Sequence, residues 1–237
     1  MRRPGRPPPM SARILVVEDE DDIRELLVVN LRHAGFDPIA VESAEAASAR
    51  LDLLTPELIV LDWMLPGRSG VDWARDLRAH PKLRAIPLIM LTARAQEGDK
   101  LQAFDVGADD YVTKPFSPRE LIARVRALLR RTSPDTVEQP IDIAGLRLEP
   151  DTFRVFADDQ PLSLSPTEFR LLHFLMKHPD RVLSRARLLD KVWGDHVYIE
   201  ERTVDVHIRR LRLTLAGTGH DRLIETVRGG GYRFLPR

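Results

Sequence analysis

Glu18, Asp19, Asp62, Thr92 and Lys114 are the residues of this 237-residue chain whose types could do chemistry together, because each follows an apolar run. Residues 14–17 stop at Glu18 and Asp19, 58–61 at Asp62, 88–91 at Thr92 and 111–113 at Lys114. Runs of that length read as buried strands, and in an open parallel sheet the carboxyl ends of the strands share one edge. The endings would then converge. Carboxylates and water make the oxygen environment that Mg²⁺ accepts, while a hydroxyl and an ammonium can hold phosphoryl oxygens. With charge neutralised, an Asp62 oxygen could attack a phosphoryl donor, since that transfer depends mainly on positioning and electrostatics.

Taken singly, each residue has an ordinary reading: Asp62 a turn residue, Thr92 a β-branched strand end, Lys114 a surface cation. Their joint placement outweighs it. Pro115 fixes the turn after Lys114, and a cis bond there would aim the ammonium inward. A phosphatase of the haloacid dehalogenase type also uses an aspartate after a strand, but needs a second aspartate two residues on, where this chain has Met64.

The elements that position these residues follow from periodicity. Ile23, Leu26, Leu27, Leu31 and Ala34 repeat at helical spacing and Gly35 stops them. A strand over 38–41 and a helix over 43–54 follow, and the alternation runs on to a helix over 121–129. Five strands and five helices in that order predict a doubly wound, flavodoxin-like parallel sheet, an α/β fold. Residues 132–140 are rich in Thr, Ser, Pro, Asp and Gln, so a linker is placed there, between a domain at 11–131 and another at 141–237.

The opening residues 1–10 are basic and proline-rich and predict a disordered tail, with Met10 a second candidate start of translation. They have no apolar stretch for a secretory signal. Absence of cysteine excludes disulfides, thiolate metal sites and thiol nucleophiles and fits a reducing, cytoplasmic setting. No apolar run is long enough for a bilayer.

Beyond the linker, alternation at Ile141/Ile143, Leu146/Leu148 and Leu162/Leu164 predicts a small antiparallel sheet. Ser165-Pro166-Thr167-Glu168 is a capping-box helix start. Helices over 184–192 and 201–216 come next, then strands at 224–227 and 232–235 around three glycines, which together predict a winged helix-turn-helix.

Net charge is zero overall, but residues 202–237 hold eight arginines against three acids. That excess suits a nucleic-acid surface. In the last helix Val204, Ile208, Leu211 and Leu215 form an inward arc, with Arg202, Val206, Arg209, Arg210 and Leu213 opposite. Arginines interleaved with aliphatics match a major groove, where guanidinium meets guanine or phosphate and small apolar groups meet thymine methyls. His207 borders the inward arc, so it is read as packed or phosphate-contacting. Arg228 and Arg233 flank the glycine turn, which could approach a phosphodiester backbone.

Residues 14–20 (Ile-Leu-Val-Val-Glu-Asp-Glu), 61–67 (Leu-Asp-Trp-Met-Leu-Pro-Gly), 90–94 (Met-Leu-Thr-Ala-Arg) and 107–116 (Gly-Ala-Asp-Asp-Tyr-Val-Thr-Lys-Pro-Phe) together resemble the receiver domain of two-component response regulators. The resemblance implies that a sensor histidine kinase phosphorylates Asp62, that Glu18, Asp19, Asp62 and the Met64 carbonyl surround Mg²⁺, and that Thr92 and Tyr111 relay the switch. The protein would thus be a regulator and not an enzyme.

The second half resembles the effector domain of the OmpR/PhoB winged-helix subfamily through 165–169, 192–194, 202–212 and 226–234. It implies binding of double-stranded DNA through Arg202, His207, Arg209, Arg210, Arg212, Thr226, Arg228 and Arg233, with Arg210 the foremost base reader. It also implies a receiver homodimer on phosphorylation through Lys100, Asp105, Asp109, Asp110, Glu120, Arg124 and Arg131. By the same resemblance, the turn at 193–201 touches the RNA polymerase sigma subunit, tandem subunits occupy direct repeats, and the targets are activated phosphate-starvation genes, the alternative being a regulator of this subfamily that answers a different stimulus.

Overall fold

The computed structural model describes residues 11–93, 107–130, 139–193 and 201–236. The tail at 1–10, the helix expected between the fourth and fifth strands, and most of the expected linker lie outside them. So do Lys100, Asp105 and Arg131.

Five parallel strands form the first sheet: β1 (Arg13–Val17), β2 (Asp37–Val41), β3 (Leu58–Asp62), β4 (Leu88–Thr92) and β5 (Asp110–Thr113), in the order β2-β1-β3-β4-β5. That order places β1 and β3 side by side at the point where the winding reverses, which is where an α/β sheet opens a crevice. The helices α1 (Asp21–His33), α2 (Ala44–Leu51), α3 (Gly70–Ala79) and α4 (Pro118–Arg130) cover both faces. Strand periodicity of two sorts the side chains. Ile14, Val16, Val60, Ile89, Leu91 and Val112 meet Leu27 and Leu31 of α1 and Leu121, Val125 and Leu128 of α4. Leu15, Val17, Ile59, Leu61, Leu88 and Met90 face Ala44, Ala47, Trp73, Ala74 and Leu77 of α2 and α3.

The second half begins with a four-stranded antiparallel sheet, β6 (Ile141–Ile143), β7 (Leu146–Glu149), β8 (Arg154–Ala157) and β9 (Gln160–Leu162). Three helices follow: α5 (Pro166–Met176), α6 (Arg185–Trp193) and α7 (Arg202–Ala216). At the start of α5 the Ser165 hydroxyl accepts from the Glu168 amide and the Glu168 carboxylate accepts from the Ser165 amide, the reciprocal cap foreseen from sequence. A hairpin of β10 (Ile224–Val227) and β11 (Gly231–Phe234) closes the chain, paired Thr226 to Tyr232 and Glu225 to Arg233. A Cβ at Gly231 would lie 2.1 Å from the Leu183 carbonyl oxygen, at a φ of +123°. Only glycine permits that approach, and it lets Leu183 and Tyr232 exchange backbone hydrogen bonds at 2.8 and 3.0 Å, tying the wing to the chain just before α6.

Short 3₁₀ turns at Pro150–Thr152 and His220–Leu223 were not foreseen, because so short a turn leaves no apolar period to read. Nor was the contact between the halves. The core on the α2/α3 face continues without a break into the apolar cluster of the second half.

Candidate functional site

The ends of β1 and β3 bring Glu18, Asp19 and Asp62 together, each with a carboxylate oxygen within 4.8 Å of the others, a group that could hold a metal ion. From the end of β5, Lys114 Nζ donates to Glu18 at 2.9 Å and to Asp62 at 3.2 Å. A third contact runs to Glu20 at 3.4 Å. The Lys114-Pro115 bond is cis. Glu18 is fully buried and Asp62 nearly so.

Burial pushes the Glu18 carboxyl up to about 7, with the Asp62 charge adding to the rise and Lys114 opposing it. Burial likewise raises Asp62, again against Lys114. Burial alone would lower the Lys114 ammonium, but its bonds to Glu18 and Asp62 carry it above its ordinary value. Two buried carboxylates thus share one ammonium, in an oxygen-rich cluster of the kind that can accept a divalent cation.

Thr92 is buried at the end of β4, and its carbonyl accepts from the Lys114 amide at 2.7 Å. Tyr111 is buried on β5 beside Met90. Met64 stands 60% exposed just past Asp62, at the mouth of the site.

On the far end of β5, Asp110 takes both oxygens to Arg124 Nη1 at 2.9 and 3.0 Å, and Arg124 also reaches Glu120 at 2.8 Å. These three residues are thus joined within one chain. Asp109 is fully buried. Its Oδ2 accepts from Arg78 Nη2 at 2.8 Å and from the Leu88 amide at 3.0 Å, and its Oδ1 from the Thr167 amide at 3.2 Å. It faces the second half of its own chain, not a free surface as expected, because the start of α5 packs over it.

On α7 the inward arc of Val204, Ile208, Leu211 and Leu215 is fully buried, as periodicity required. Arg202 and Arg209 are exposed, Val206 is half-buried, and Leu213 is 65% exposed. Three expected contacts are placed otherwise. His207 is fully buried, its ring 5.2 Å from that of Trp193, and burial together with neighbouring arginines holds its pKa well below the ordinary value. Arg210 turns inward to the buried Glu168 at 3.3 Å. Arg212 donates to the Ile224 carbonyl at 2.7 Å and to the Thr226 hydroxyl at 2.8 Å, so it braces the wing.

On the wing, Arg228 is exposed and Arg233 pairs with Glu225 at 2.9 Å. A second brace escaped the sequence: Asp205 accepts from Arg185 Nε and from the Tyr232 hydroxyl, each at 2.6 Å. Burial first, then the Asp205 bond, raises the Tyr232 phenol to about 12. The spacing of three residues so far apart in the chain carries no local signal.

Comparison with known proteins agrees with both halves. Residues 14–126 match the response regulator receiver domain family, and residues 159–234 match the family described as transcriptional regulatory protein, C terminal. The chain is 54% identical over 228 residues to the phosphate regulon transcriptional regulatory protein PhoB of Escherichia coli, covering 96% of this chain and all of that one. It is 53% identical to the protein of that name from Pseudomonas aeruginosa, over 93% of this chain and 96% of the other. Among solved structures, a RitR mutant superimposes with a TM-score of 0.75 at 27% identity, over 96% of this chain and 100% of that chain. DrrB of Thermotoga maritima, described as an OmpR/PhoB homologue, gives 0.50 at 31% identity, over 95% of this chain and 100% of that chain. Among the described residues no helix is long and apolar enough to cross a membrane.

Proposed function

The chain belongs to the OmpR/PhoB family of winged-helix response regulators, DNA-binding transcriptional regulators of two-component systems, and from that premise we propose how its own residues do this work. A sensor histidine kinase presents a phosphohistidine to the acidic site. An Asp62 carboxylate oxygen attacks the phosphorus: the new P–O bond forms, the P–N bond breaks, and the histidine nitrogen leaves with its electron pair and takes a proton. Glu18, Asp19, Asp62 and the Met64 carbonyl would hold Mg²⁺, which when bound would supply charge neutralisation for the phosphoryl oxygens. Lys114 pairs with one of those oxygens, the Thr92 hydroxyl is drawn to the phosphoryl group, and Tyr111 rotates in response.

The adduct biases an existing two-state equilibrium of the receiver. Its outcome is a homodimer through the surface carrying Lys100, Asp105, Asp110, Glu120, Arg124 and Arg131. Asp109 joins that set only after it leaves its present partners. The dimer binds double-stranded DNA at direct repeats. Arg202, Arg209 and Arg228 make the first contacts, with Thr226 and Arg233 on the wing, while Arg210 would first have to leave Glu168 and His207 its packing on Trp193. The turn at 193–201 meets the sigma subunit of RNA polymerase, and the regulator works in the cytoplasm as an activator. The name shared by its relatives points to genes of phosphate starvation.

One observation carries the reading: Lys114 Nζ lies 2.9 Å from Glu18 and 3.2 Å from Asp62 at the mouth of a carboxylate cluster. Mass spectrometry of the protein incubated with magnesium and acetyl phosphate should find one phosphate, on Asp62, and none on an Asp62→Asn variant. Absence of the adduct from the wild type would refute the proposal. Mapping occupied promoters in phosphate-rich and phosphate-poor growth tests the choice of genes.

A further inference from the structure

Asp205 is the one acid among the 15 residues of α7, which carry four arginines. On a helix that meets DNA a carboxylate works against binding, because sequence-independent affinity comes from cations that displace the counterions of phosphate. Its place in the first turn suits the helix dipole, but the dipole asks for no particular partner. Asp205 has two. Arg185, the first residue of α6, donates Nε to Asp205 Oδ1 at 2.6 Å, and the Tyr232 hydroxyl on β11 donates to the same oxygen at 2.6 Å. The Arg185 guanidinium also lies over the Tyr232 ring, 5.1 Å from its centre. One carboxylate oxygen thus joins the start of α6, the first turn of α7 and the wing.

The grip on Arg185 is electrostatic as well as geometric. Its hydrogen bond to Asp205, against the opposing effect of burial, holds the guanidinium above its ordinary pKa. Neither partner is sealed from an approaching duplex, with the Arg185 side chain 29% and the Asp205 side chain 40% exposed. Arg202 and Arg209 stand three residues before and four after Asp205, on adjacent turns of the same side, and both are exposed. Asp205 therefore lies among arginines proposed to meet DNA, and it cancels the charge of the arginine it binds.

We propose that Asp205 determines how selectively α7 binds: it withholds Arg185 from the phosphate backbone while it anchors Tyr232 of the wing. A loosely held cation adds affinity for any sequence, in whatever pose the protein takes. In the seated complex the placement of α7 and the wing decides which cations reach phosphate, and base contacts depend on that placement. Restraint of Arg185 therefore lowers non-specific binding, and the anchored wing preserves specific binding. A regulator facing a great excess of competing sequence depends on the ratio of the two affinities. Asp205 raises that ratio without touching a base.

The inference rests on the DNA-binding role of α7, and its test keeps the two apart. The phosphorylated full-length protein selects a duplex from a random-sequence pool, and a scrambled duplex of the same composition serves as non-specific DNA. Asp205→Asn keeps an oxygen that can accept from Arg185 and Tyr232 but removes the charge. On the scrambled duplex it should steepen the slope of log K against log salt by about one. Adding Arg185→Ala to that variant should return the slope to the wild-type value, while Arg185→Ala alone should leave the wild-type slope as it is. The ratio of affinities for the selected and scrambled duplexes should fall about fivefold in Asp205→Asn, the scale of one added phosphate contact at moderate salt. Because slopes are compared with and without Arg185 in one background, a stability loss common to both proteins cancels, and the same pair built on Asp205→Ala repeats the comparison without the retained oxygen. A wild-type slope in both Asp205 variants overturns the restraint and leaves Asp205 a structural brace. So does a slope that already flattens when Arg185 alone is replaced, since Arg185 would then be a phosphate contact in the wild type. A wild type that selects no duplex overturns the DNA-binding assignment, and the restraint with it.

Discussion

Lys114 Nζ stands between the Glu18 and Asp62 carboxylates, 2.9 Å from one and 3.2 Å from the other, so a single ammonium serves two buried acids. One positive charge cannot fully offset two negative ones in a poorly solvated place. The imbalance appears as the upward displacement of both carboxyls, caused first by burial.

A pH dependence follows for Glu18. Its carboxyl is raised from 4.5 to about 7 in the folded chain, so folding favours the protonated form. The resulting stabilisation is complete below the ordinary value, 4.5, and is lost as pH rises through about 7. Metal binding runs the other way, because the carboxylate must be deprotonated to ligate. Differential scanning calorimetry of metal-free wild type and Glu18→Gln should show their difference in Tm changing across that interval in the wild type's disfavour. Added Mg²⁺ should raise the wild-type Tm more at the upper end than at the lower. Parallel Tm curves for the two proteins would show that Glu18 is not displaced.

Arg124 is the hub of a cluster within one chain, its Nη1 shared between both Asp110 oxygens and its Nη2 reaching Glu120. Burial disfavours its charge, and the Asp110 charge together with the hydrogen bonds to Glu120 and Asp110 more than restores it. Removing one member of such a pair strands the other. Arg124→Ala should cost about 3–5 kcal/mol of stability in urea unfolding of the unphosphorylated chain. Arg124→Lys should recover only part of this, since one ammonium cannot reach Asp110 as Nη1 does while also giving Glu120 the two bonds of Nε and Nη2. A loss below about 1 kcal/mol would place the pair among ordinary surface bridges.

Gly231 offers a test of the wing. Alanine there would meet the Leu183 carbonyl oxygen at 2.1 Å with φ in the region that disfavours a side chain. Gly231→Ala should destabilise the effector half by more than about 1 kcal/mol. Gly229→Ala, at a positive φ but with open space around it, should cost less. Limited proteolysis across the hairpin would rank the two.

Much of the site was legible because its signals are local. Asp62 and Thr92 each end an apolar strand, and strand ends in a parallel sheet share an edge, so composition and periodicity suffice to bring them together. Ser165 and Glu168 state their own cap by a spacing of three. The outer face of α7 was harder. Arg209 and Arg210 are adjacent and both lie off the inward arc, so the helical period cannot separate them. What separates them is Glu168, from α5, and the receiver pressed against that flank. Asp109 and Asp110 pose the same problem: one faces α5 of the second half and the other Arg124, a division set by strand alternation together with domain packing. Contacts between units leave no period in either unit.

The distinction between Arg212 and its neighbours can be read in salt dependence. Arg212 donates to the Ile224 carbonyl and the Thr226 hydroxyl, and its guanidinium lies 5.6 Å from the Tyr232 ring centre, so it holds the wing against α7. Arg209 and Arg228 are exposed, on the face proposed to meet DNA. An arginine that neutralises a phosphate releases a counterion, and its loss lowers the slope of log K against log salt by about one. Arg209→Ala and Arg228→Ala should therefore weaken binding and flatten the slope if their contact is phosphate. Where Arg209 reads a base edge, the loss should be about 1–3 kcal/mol, confined to one position of the site. Arg212→Ala should weaken binding to all sequences by misplacing the wing, with the slope kept and the thermal stability of the effector half reduced. Fluorescence anisotropy titrations at a series of salt concentrations measure each slope. A flattened slope for Arg212→Ala with unchanged stability would make it a DNA contact instead of a brace.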